Sequence, residues 1–224
     1  MELREYLSIR RAYNLVRQGA AAPARLTFSE FAILCRLDVA GGSLKTSVIA
    51  EYQGSLRPTM THRTKHLATL GLIERVKGDA DRRNVVCQIT DQGREVVRDL
   101  CAKTCSRIPV GQALSRVTPD RMRKYVDAMG SVSCMSGELI LLGLYAYDRD
   151  ACSVTDLVDG LGLLQPTVSM TVTSLVDDGY LHRVQVEGSP RSAQVALTES
   201  GEEIAKSITT RVEALVVRRK SRSN

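Results

Sequence analysis

The 224-residue sequence has no Trp, only two Phe and 4% aromatic residues in total. Its longest apolar run, LILLGLYAY (residues 139–147), has about half of the roughly 20 residues that a membrane-spanning helix needs. No basic segment followed by an apolar one opens the chain, so nothing in the sequence predicts export. We therefore expect a cytoplasmic protein with no membrane partner.

Patterns for catalysis and metal binding are also lacking. No glycine-rich phosphate loop, acid–base carboxylate pair or nucleophile–His–acid spacing stands out, so an enzyme is not predicted. The six Cys form no Cys-x-x-Cys pair and no zinc-ribbon spacing, which predicts reduced thiols, no metal and no cofactor. His62 and His66 have the four-residue spacing of some zinc ligands, but no nearby Cys, Asp or Glu completes a site. DNA contact or solvation is the expected role of these two side chains.

What the sequence does contain is an internal repeat. Residues 26–93 align with residues 134–201 without a gap, and 13 of the 68 positions are then identical. The identities fall at turns, core positions and helix starts, among them Gly54/Gly162, Pro58/Pro166, Leu67/Leu175, Gly71/Gly179, Thr90/Thr198 and Gly93/Gly201. Because each repeat unit has the size of a domain, we predict two similar domains, residues 1–112 and 113–224.

Each copy predicts the same order of elements: a helix, a short helix, a turn, a second helix and a two-stranded hairpin. Thr27 with Glu30, and Ser153 with Asp156, have the spacing of helix-capping boxes. The segments after Gly71 and its counterpart are β-like and are separated by polar loops. This order of elements is typical of a winged helix-turn-helix.

The helices that start near Pro58 and Pro166 are the predicted recognition helices, since Pro fits the first turn and the helix N-terminus can meet a phosphate. Their apolar residues recur at helical spacing, which turns the short polar side chains away from the core. We predict that DNA is contacted by these side chains and by the wings, through Arg57, Thr59, Thr61, His62, Arg63, Lys65, Arg82, Arg83, Gln165, Thr167, Ser169, Thr171 and Arg191. The alternative interpretation is a solvated helix face in an interaction domain.

Charge is distributed unequally between the two copies. Residues 1–114 contain 18 Lys and Arg against 11 Asp and Glu, a net charge of +7, whereas residues 115–224 contain 13 against 14, a net charge of −1. The second recognition helix has no basic residue between Gln165 and Gly179 and ends in Asp177 and Asp178. Because phosphate neutralisation supplies most non-specific affinity, copy one should dominate DNA binding. Copy two would read an imperfect half-site weakly, or would have lost DNA binding.

Four further amphipathic helices are predicted at the ends of the copies, in residues 2–16, 94–108, 120–129 and 202–217. Pro109 and Gly111 favour a turn or loop before the helix that starts at Thr118, so the domain boundary is expected near residues 109–118. The predicted fold is mainly α with small β-hairpin wings. It consists of two tandem winged helix-turn-helix domains around a helical platform, a pseudo-dimer.

The segment GLIERVKGDADRRNVVCQITDQG (residues 71–93) resembles the wing signature of the MarR family of bacterial transcriptional regulators. That signature has an Asp-x-Arg at the wing, an alternating strand, then a Thr and a Gly one turn later, positions matched here by Asp81, Arg83, Ile89, Thr90 and Gly93. In copy two, Ser189 stands where the Asp would be, and the other positions are kept as Arg191, Leu197, Thr198 and Gly201. The resemblance covers most of both copies.

The resemblance implies a regulator that binds double-stranded DNA. Members of the family usually carry one such domain and dimerise, whereas this chain resembles the double-length members of the SarA-like branch. We therefore expect a monomer that acts as an internal pseudo-dimer on a pseudo-palindromic site. The alternative is a tandem winged-helix scaffold that binds a protein partner and no DNA.

Two features of the sequence leave a regulatory input open. Tyr145 and Tyr147 either line a cleft for a small-molecule effector or belong to the core. Cys101 and Cys105 share one helix face, where they are either a thiol sensor or buried core residues.

Overall fold

The computed structural model describes residues 1–21, 25–77, 85–147, 151–185 and 194–217. The chain forms two compact units. The first, which we call the basic unit, comprises Val16–Ser133 and Val216–Asn224, and its 23 Lys and Arg against 11 Asp and Glu give a net charge of +12. The second, the acidic unit, comprises Met1–Leu15 and Cys134–Leu215. Its 8 Lys and Arg against 14 Asp and Glu give a net charge of −6. The charge difference between the units is thus larger than the difference between the halves of the sequence.

Helix α1 (Leu3–Gly19) begins in the acidic unit and ends in the basic unit. The basic unit continues with α2 (Phe28–Val39), β1 (Ser43–Lys45), α3 (Thr46–Tyr52), α4 (Arg57–Thr69), β2 (Ile73–Lys77), β3 (Val85–Ile89), α5 (Asp91–Ser106) and α6 (Pro119–Met129). Its three strands form an antiparallel sheet in the order β1-β3-β2, with Ile73 opposite Ile89. Helix α2 lies at the centre of the core, since Phe31, Ile33 and Leu34 are all fully buried.

The acidic unit repeats this order of elements. After α1 it contains α7 (Ser136–Ala146), β4 (Cys152–Ser153), α8 (Val154–Leu161), α9 (Gln165–Asp177), β5 (Leu181–Val184), β6 (Gln194–Leu197) and α10 (Glu199–Glu213). Its antiparallel sheet has the order β4-β6-β5, with Leu181 opposite Leu197. Helices α4 and α9 start and end at equivalent positions of the sequence repeat.

Two identical pairs of the repeat, Thr90/Thr198 and Gly93/Gly201, have matching contacts in the two units. The Thr90 hydroxyl donates to the Gly71 carbonyl and accepts from the Gly93 N–H, and so caps α5 while it holds the end of the α4 segment. A Cβ on Gly93 would overlap the Leu72 carbonyl oxygen, so only Gly fits there. The corresponding bonds of Thr198 reach Gly179 and Gly201, and a Cβ on Gly201 would overlap the Tyr180 carbonyl oxygen.

Helix starts are the local features that the sequence predicted well. The capping boxes of Thr27 with Glu30 and of Ser153 with Asp156 are both present, and Thr118 caps α6 as expected. The prediction of a two-stranded hairpin in each copy was incomplete, because β1 and β4 add a third strand to each sheet. With three and two residues, these strands are too short to show an alternating pattern.

The compact units divide the chain differently from the predicted domains 1–112 and 113–224. Residues 113–133, including α6, belong to the basic unit, where α6 packs against α2 and α5 and its Met122, Val126 and Met129 are fully buried. The segment Met1–Leu15 belongs to the acidic unit. The amphipathic pattern of α1 and α6 predicts that each helix packs, but it does not specify the core against which it packs.

In the described part of the chain, no helix combines the length and the apolar character needed to cross a membrane.

Candidate nucleic-acid interface

Helix α4 is positioned by a tight turn and a buried stripe. Gly54 has φ +58°, a left-handed conformation that favours glycine, and it turns the chain between α3 and α4. Met60, Thr64 and Leu67 are fully buried, and the Thr64 hydroxyl donates to the Met60 carbonyl within the helix. This confirms the predicted core face and leaves the opposite face of α4 to solvent.

The solvent face of α4 carries most of the predicted DNA contacts of copy one. Arg57, Thr59, His62 and Lys65 are exposed, and Thr61 is half-buried. The face therefore presents two permanent positive charges and a histidine beside short hydroxyl side chains. Such a surface suits a negatively charged groove in which Lys and Arg neutralise phosphates.

Two other residues of α4, Arg63 and His66, point inward instead. The Arg63 Nη1 donates to the Gln53 side-chain oxygen at 3.2 Å and to the Ser55 hydroxyl at 3.0 Å. The His66 Nδ1 lies 2.6 Å from a carboxylate oxygen of Glu30, which is almost fully buried. The structure thus places Arg63 beside the helix-turn-helix turn, and His66 against the N-terminal turn of α2.

The Glu30–His66 contact joins residues 36 positions apart, so no local pattern in the sequence predicts it. Burial tends to raise the pKa of this carboxyl, but the Thr27 N–H, the His66 ring and the Thr27 hydroxyl donate to it and together hold its pKa below the ordinary 4.5. Glu138, the counterpart of Glu30, likewise accepts from the backbone N–H three residues before it. The identity of Glu30 and Glu138 in the repeat is thus explained by helix capping.

The lowered pKa of Glu30 predicts acid sensitivity of the basic unit. A carboxyl with a depressed folded-state pKa stabilises the fold above its unfolded pKa, and this stabilisation is lost as pH falls through the folded value. Glu30→Gln should therefore cost about 1–3 kcal/mol at pH 7, as expected when a buried charged acceptor is removed. Below about pH 4 the difference from wild type should shrink. Urea unfolding of wild type and Glu30→Gln across this pH range measures the difference in unfolding free energy. A difference that stays constant at all pH values would show that the ionised form of Glu30 does not stabilise the fold.

Helix α9 has the same backbone frame but a different surface. Val168, Val172 and Leu175 are buried as predicted, and Gln165 and Ser169 are exposed. Thr167 and Thr171 are half-buried, and the Thr171 methyl group lies within 3.7 Å of the position of a Cβ on Gly137. Of the four predicted DNA contacts on α9, Thr167, Ser169 and Thr171 have hydroxyl side chains. Thr167 and Thr171 are only partly accessible.

Each Arg, Lys or His of α4 has a residue of another, uncharged type at the corresponding position of α9. In the alignment of the two copies, Arg57, His62, Arg63, Lys65 and His66 correspond to Gln165, Met170, Thr171, Thr173 and Ser174. Met170 is 74% exposed, so the centre of the solvent face of α9 is apolar where α4 has His62. Within the acidic unit, this face is poorly suited to neutralise phosphates.

The predicted wing contacts Arg82, Arg83 and Arg191 lie outside the described residues. Gln53 and Ser55, which hold Arg63, were missed as site residues. The sequence signal for them was two polar residues, one on each side of the turn glycine Gly54.

The other candidate features have defined surroundings. Cys101 is buried and Cys105 half-buried, and burial raises the pKa of the Cys105 thiol to about 11. Because the thiolate is the reactive form, this environment disfavours the thiol-sensor interpretation. Among the residues that the structure describes, no group of three or more His, Cys, Asp and Glu side chains could hold a metal. Tyr145 lines a cavity of about 540 Å³ in the acidic unit, together with Arg4 and Lys206.

The geometry of the described residues defines a mainly helical protein with a helix-turn-helix and small β-sheet wings. Residues 26–85, from the segment before α2 to the first residue of β3, match the model of the MarR family. A curated relative, the uncharacterized HTH-type transcriptional regulator YfiV of Bacillus subtilis (strain 168), is 27% identical over 92 residues. That match covers 41% of this chain and 56% of the relative, so the chain spans only about half of the relative's length.

Two solved structures show weaker similarity. BpsR of Bordetella bronchiseptica, studied for the regulation of its DNA binding by 6-hydroxynicotinic acid, is 22% identical with a TM-score of 0.39. The match covers 49% of this chain and 85% of that one. The S. aureus MepR–DNA complex is 22% identical with a TM-score of 0.31, over 45% of this chain and 84% of that one. At this level of similarity neither structure assigns a function to the chain.

Proposed function

We propose that this protein is a MarR-family DNA-binding transcriptional regulator whose main DNA contact is helix α4 of the basic unit. The observation that carries the proposal is the exposed cationic face of α4, with Arg57, His62 and Lys65, in a unit with a net charge of +12. A recognition helix of a helix-turn-helix lies in the major groove, and its N-terminal residues contact base edges. The family match of residues 26–85 and the HTH-type relative support the same proposal.

The finer proposal concerns the second copy. We propose that the acidic unit derives from the same kind of winged-helix domain and that one chain acts as an internal pseudo-dimer. On a pseudo-palindromic site, α9 would then reach a second major groove about one helical turn from the first, with Arg83 and Arg191 at the wings. With no cation on α9, this second contact would be the weaker one.

A titration of wild-type protein with labelled duplex DNA at two salt concentrations tests the proposal. If α4 neutralises phosphates, the association constant should fall steeply with salt, by about 0.9 in log–log slope for each phosphate contacted. The single-stranded form of the same DNA serves as the control for general polyanion attraction. Absence of salt-dependent duplex binding would contradict the proposed function.

A second candidate function is favoured by one observation on the acidic unit. The exposed face of α9 is uncharged, with Met170 at its centre, and Leu164 before it is 55% exposed. A surface of this kind is common in protein–protein contacts. If the titration shows no duplex binding, a winged-helix scaffold for a protein partner becomes the better account.

A further inference from the structure

The turn between α3 and α4 contains a buried polar contact that the DNA-binding proposal does not use. The Gln53 side chain is 7% exposed; its amide nitrogen donates to the Ser29 carbonyl at 3.0 Å, and its oxygen accepts from Arg63. Ser55 accepts a second bond from the same nitrogen of Arg63. Arg63 therefore joins α4 to both sides of the turn, and Gln53 joins the turn to α2.

The same end of α3 is attached to α6. The Tyr52 hydroxyl donates to the Asp127 carbonyl at 2.8 Å, and the Arg36 guanidinium lies 3.9 Å from the centroid of the Tyr52 ring and 3.5 Å from an Asp127 carboxylate oxygen. The Gln53 amide nitrogen lies 3.6 Å from the position of a Cβ on Gly130, the C-cap residue of α6. A shift of α3 would break contacts to α4 and to α6 together.

The Arg63 guanidinium lies in a different environment from the exposed charged groups of Arg57 and Lys65. Burial lowers the pKa of the Arg63 guanidinium, and the nearby Glu30 carboxylate opposes that shift. Arg57 and Lys65, in contrast, are exposed on the solvent face. The positive charge of Arg63 is therefore partly balanced inside the basic unit.

We propose that Arg63 is a positioning residue: by joining Gln53 and Ser55 it sets the orientation of α4 on α3 and α6, and it does not neutralise a DNA phosphate. This inference rests on the proposed function, and it changes the role predicted for Arg63 from the sequence. A helix held from its inner side presents Arg57 and Lys65 in one orientation, and pre-organisation of this kind lowers the cost of binding.

The test measures duplex binding of the full chain across a salt series. The probe is a labelled duplex selected from a random-sequence library by wild-type protein, with an unselected duplex for comparison. Arg63→Ala should weaken binding to the selected duplex by about tenfold, the loss expected for a charge-assisted hydrogen bond, with an unchanged salt slope. Lys65→Ala is the matched control, which should reduce the log–log slope by about 0.9.

Three further variants separate positioning from contact. Arg63→Lys keeps the charge but has a shorter side chain without the planar fork, so it should bind almost as weakly as Arg63→Ala. Ser55→Ala, at a half-buried position where folding is little affected, should lose a few-fold in the same direction. The double variant Gln53→Met with Arg63→Ala should lose less affinity than the sum of the two single losses, since both substitutions remove the same Arg63–Gln53 contact.

Thermal unfolding of each variant shows whether it is folded at the temperature of the binding assay. A slope reduced by about 0.9 in Arg63→Ala, with near wild-type binding by Arg63→Lys, would show a phosphate contact and overturn the inference. Unchanged binding by folded Arg63→Ala and Ser55→Ala would also overturn it. If Lys65→Ala has no effect either, the proposed role of α4 fails as well, which distinguishes the two failures.

Discussion

Deletion of residues 1–15 should unfold the acidic unit or leave it only marginally stable. The deleted segment supplies Tyr6, Ile9 and Tyr13, which are at most 1% exposed in the intact chain. Burial of a large apolar side chain contributes about 1.5–3 kcal/mol, and three of them approach the roughly 5–15 kcal/mol that stabilises a typical domain.

The polar contacts of α1 increase this expected loss. Arg10, which is 6% exposed, donates to the Cys134 carbonyl at 2.9 Å and to the Tyr6 hydroxyl, and the Cys134 N–H donates to the same hydroxyl. Asn14 donates to the Leu161 carbonyl at 2.9 Å, at the end of α8. Without α1, these acceptors and the N–H lose their partners, which costs further free energy wherever they stay buried.

Circular dichroism and hydrogen exchange of residues 134–215 measure the effect. A synthetic peptide of residues 1–15 should restore protection when it is added in excess, because binding to the folded state stabilises it. As a matched control, Arg4→Ala changes an exposed position of the same helix and should have little effect. Full protection of residues 134–215 without α1 and without the peptide would show that the acidic unit does not depend on it.

Reversal of two charges on α4 should almost abolish DNA binding. Arg57 and Lys65 are both exposed, so Arg57→Glu with Lys65→Glu should fold normally. Loss of two phosphate contacts should lower the log–log salt slope by about 1.8, and repulsion from the two new carboxylates adds to the loss of affinity. We expect affinity to fall by about a hundredfold or more, which is roughly 2.7 kcal/mol.

The matched control lies at the corresponding positions of α9. Gln165→Glu with Thr173→Glu introduces the same carboxylates at the exposed positions that align with Arg57 and Lys65 in the repeat. If α4 is the dominant contact, this variant should lose about fivefold or less, with a nearly unchanged salt slope. Equal losses from the two variants would contradict the asymmetric proposal. If neither variant loses affinity, the result would contradict DNA binding through these helices. A winged-helix scaffold for a protein partner would then be the better account.

Several features of the fold could be read from the sequence because they depend on residues close together in the chain. The capping boxes at Thr27 and Ser153 act over three residues, and the buried stripes of α4 and α9 follow from helical spacing. The alignment of the two copies also predicted that α9 would repeat the bounds of α4. The exposed positions of Arg57, His62 and Lys65 follow from the same helical periodicity.

The site was predicted less completely, because a side chain's partner depends on distant residues. Periodicity alone places Arg63 between the buried and exposed faces of α4, and it does not show whether the guanidinium turns inward. Only the folded chain brings Gln53 and Ser55 within hydrogen-bond distance of it, and Glu30 within reach of His66. The wing residues Arg82, Arg83 and Arg191 stay predictions.

By itself, the sequence determined the helices, their caps, the repeat and the sign of the charge on each recognition helix, since all of these depend on local order along the chain. Only the tertiary structure decided that residues 1–15 complete the acidic unit and α6 the basic unit, and that β1 and β4 add a strand to each sheet. The physical reason is that burial of an apolar face is non-directional. A stripe on α1 or α6 requires an apolar partner surface, and the choice of that surface depends on the packing of the whole chain.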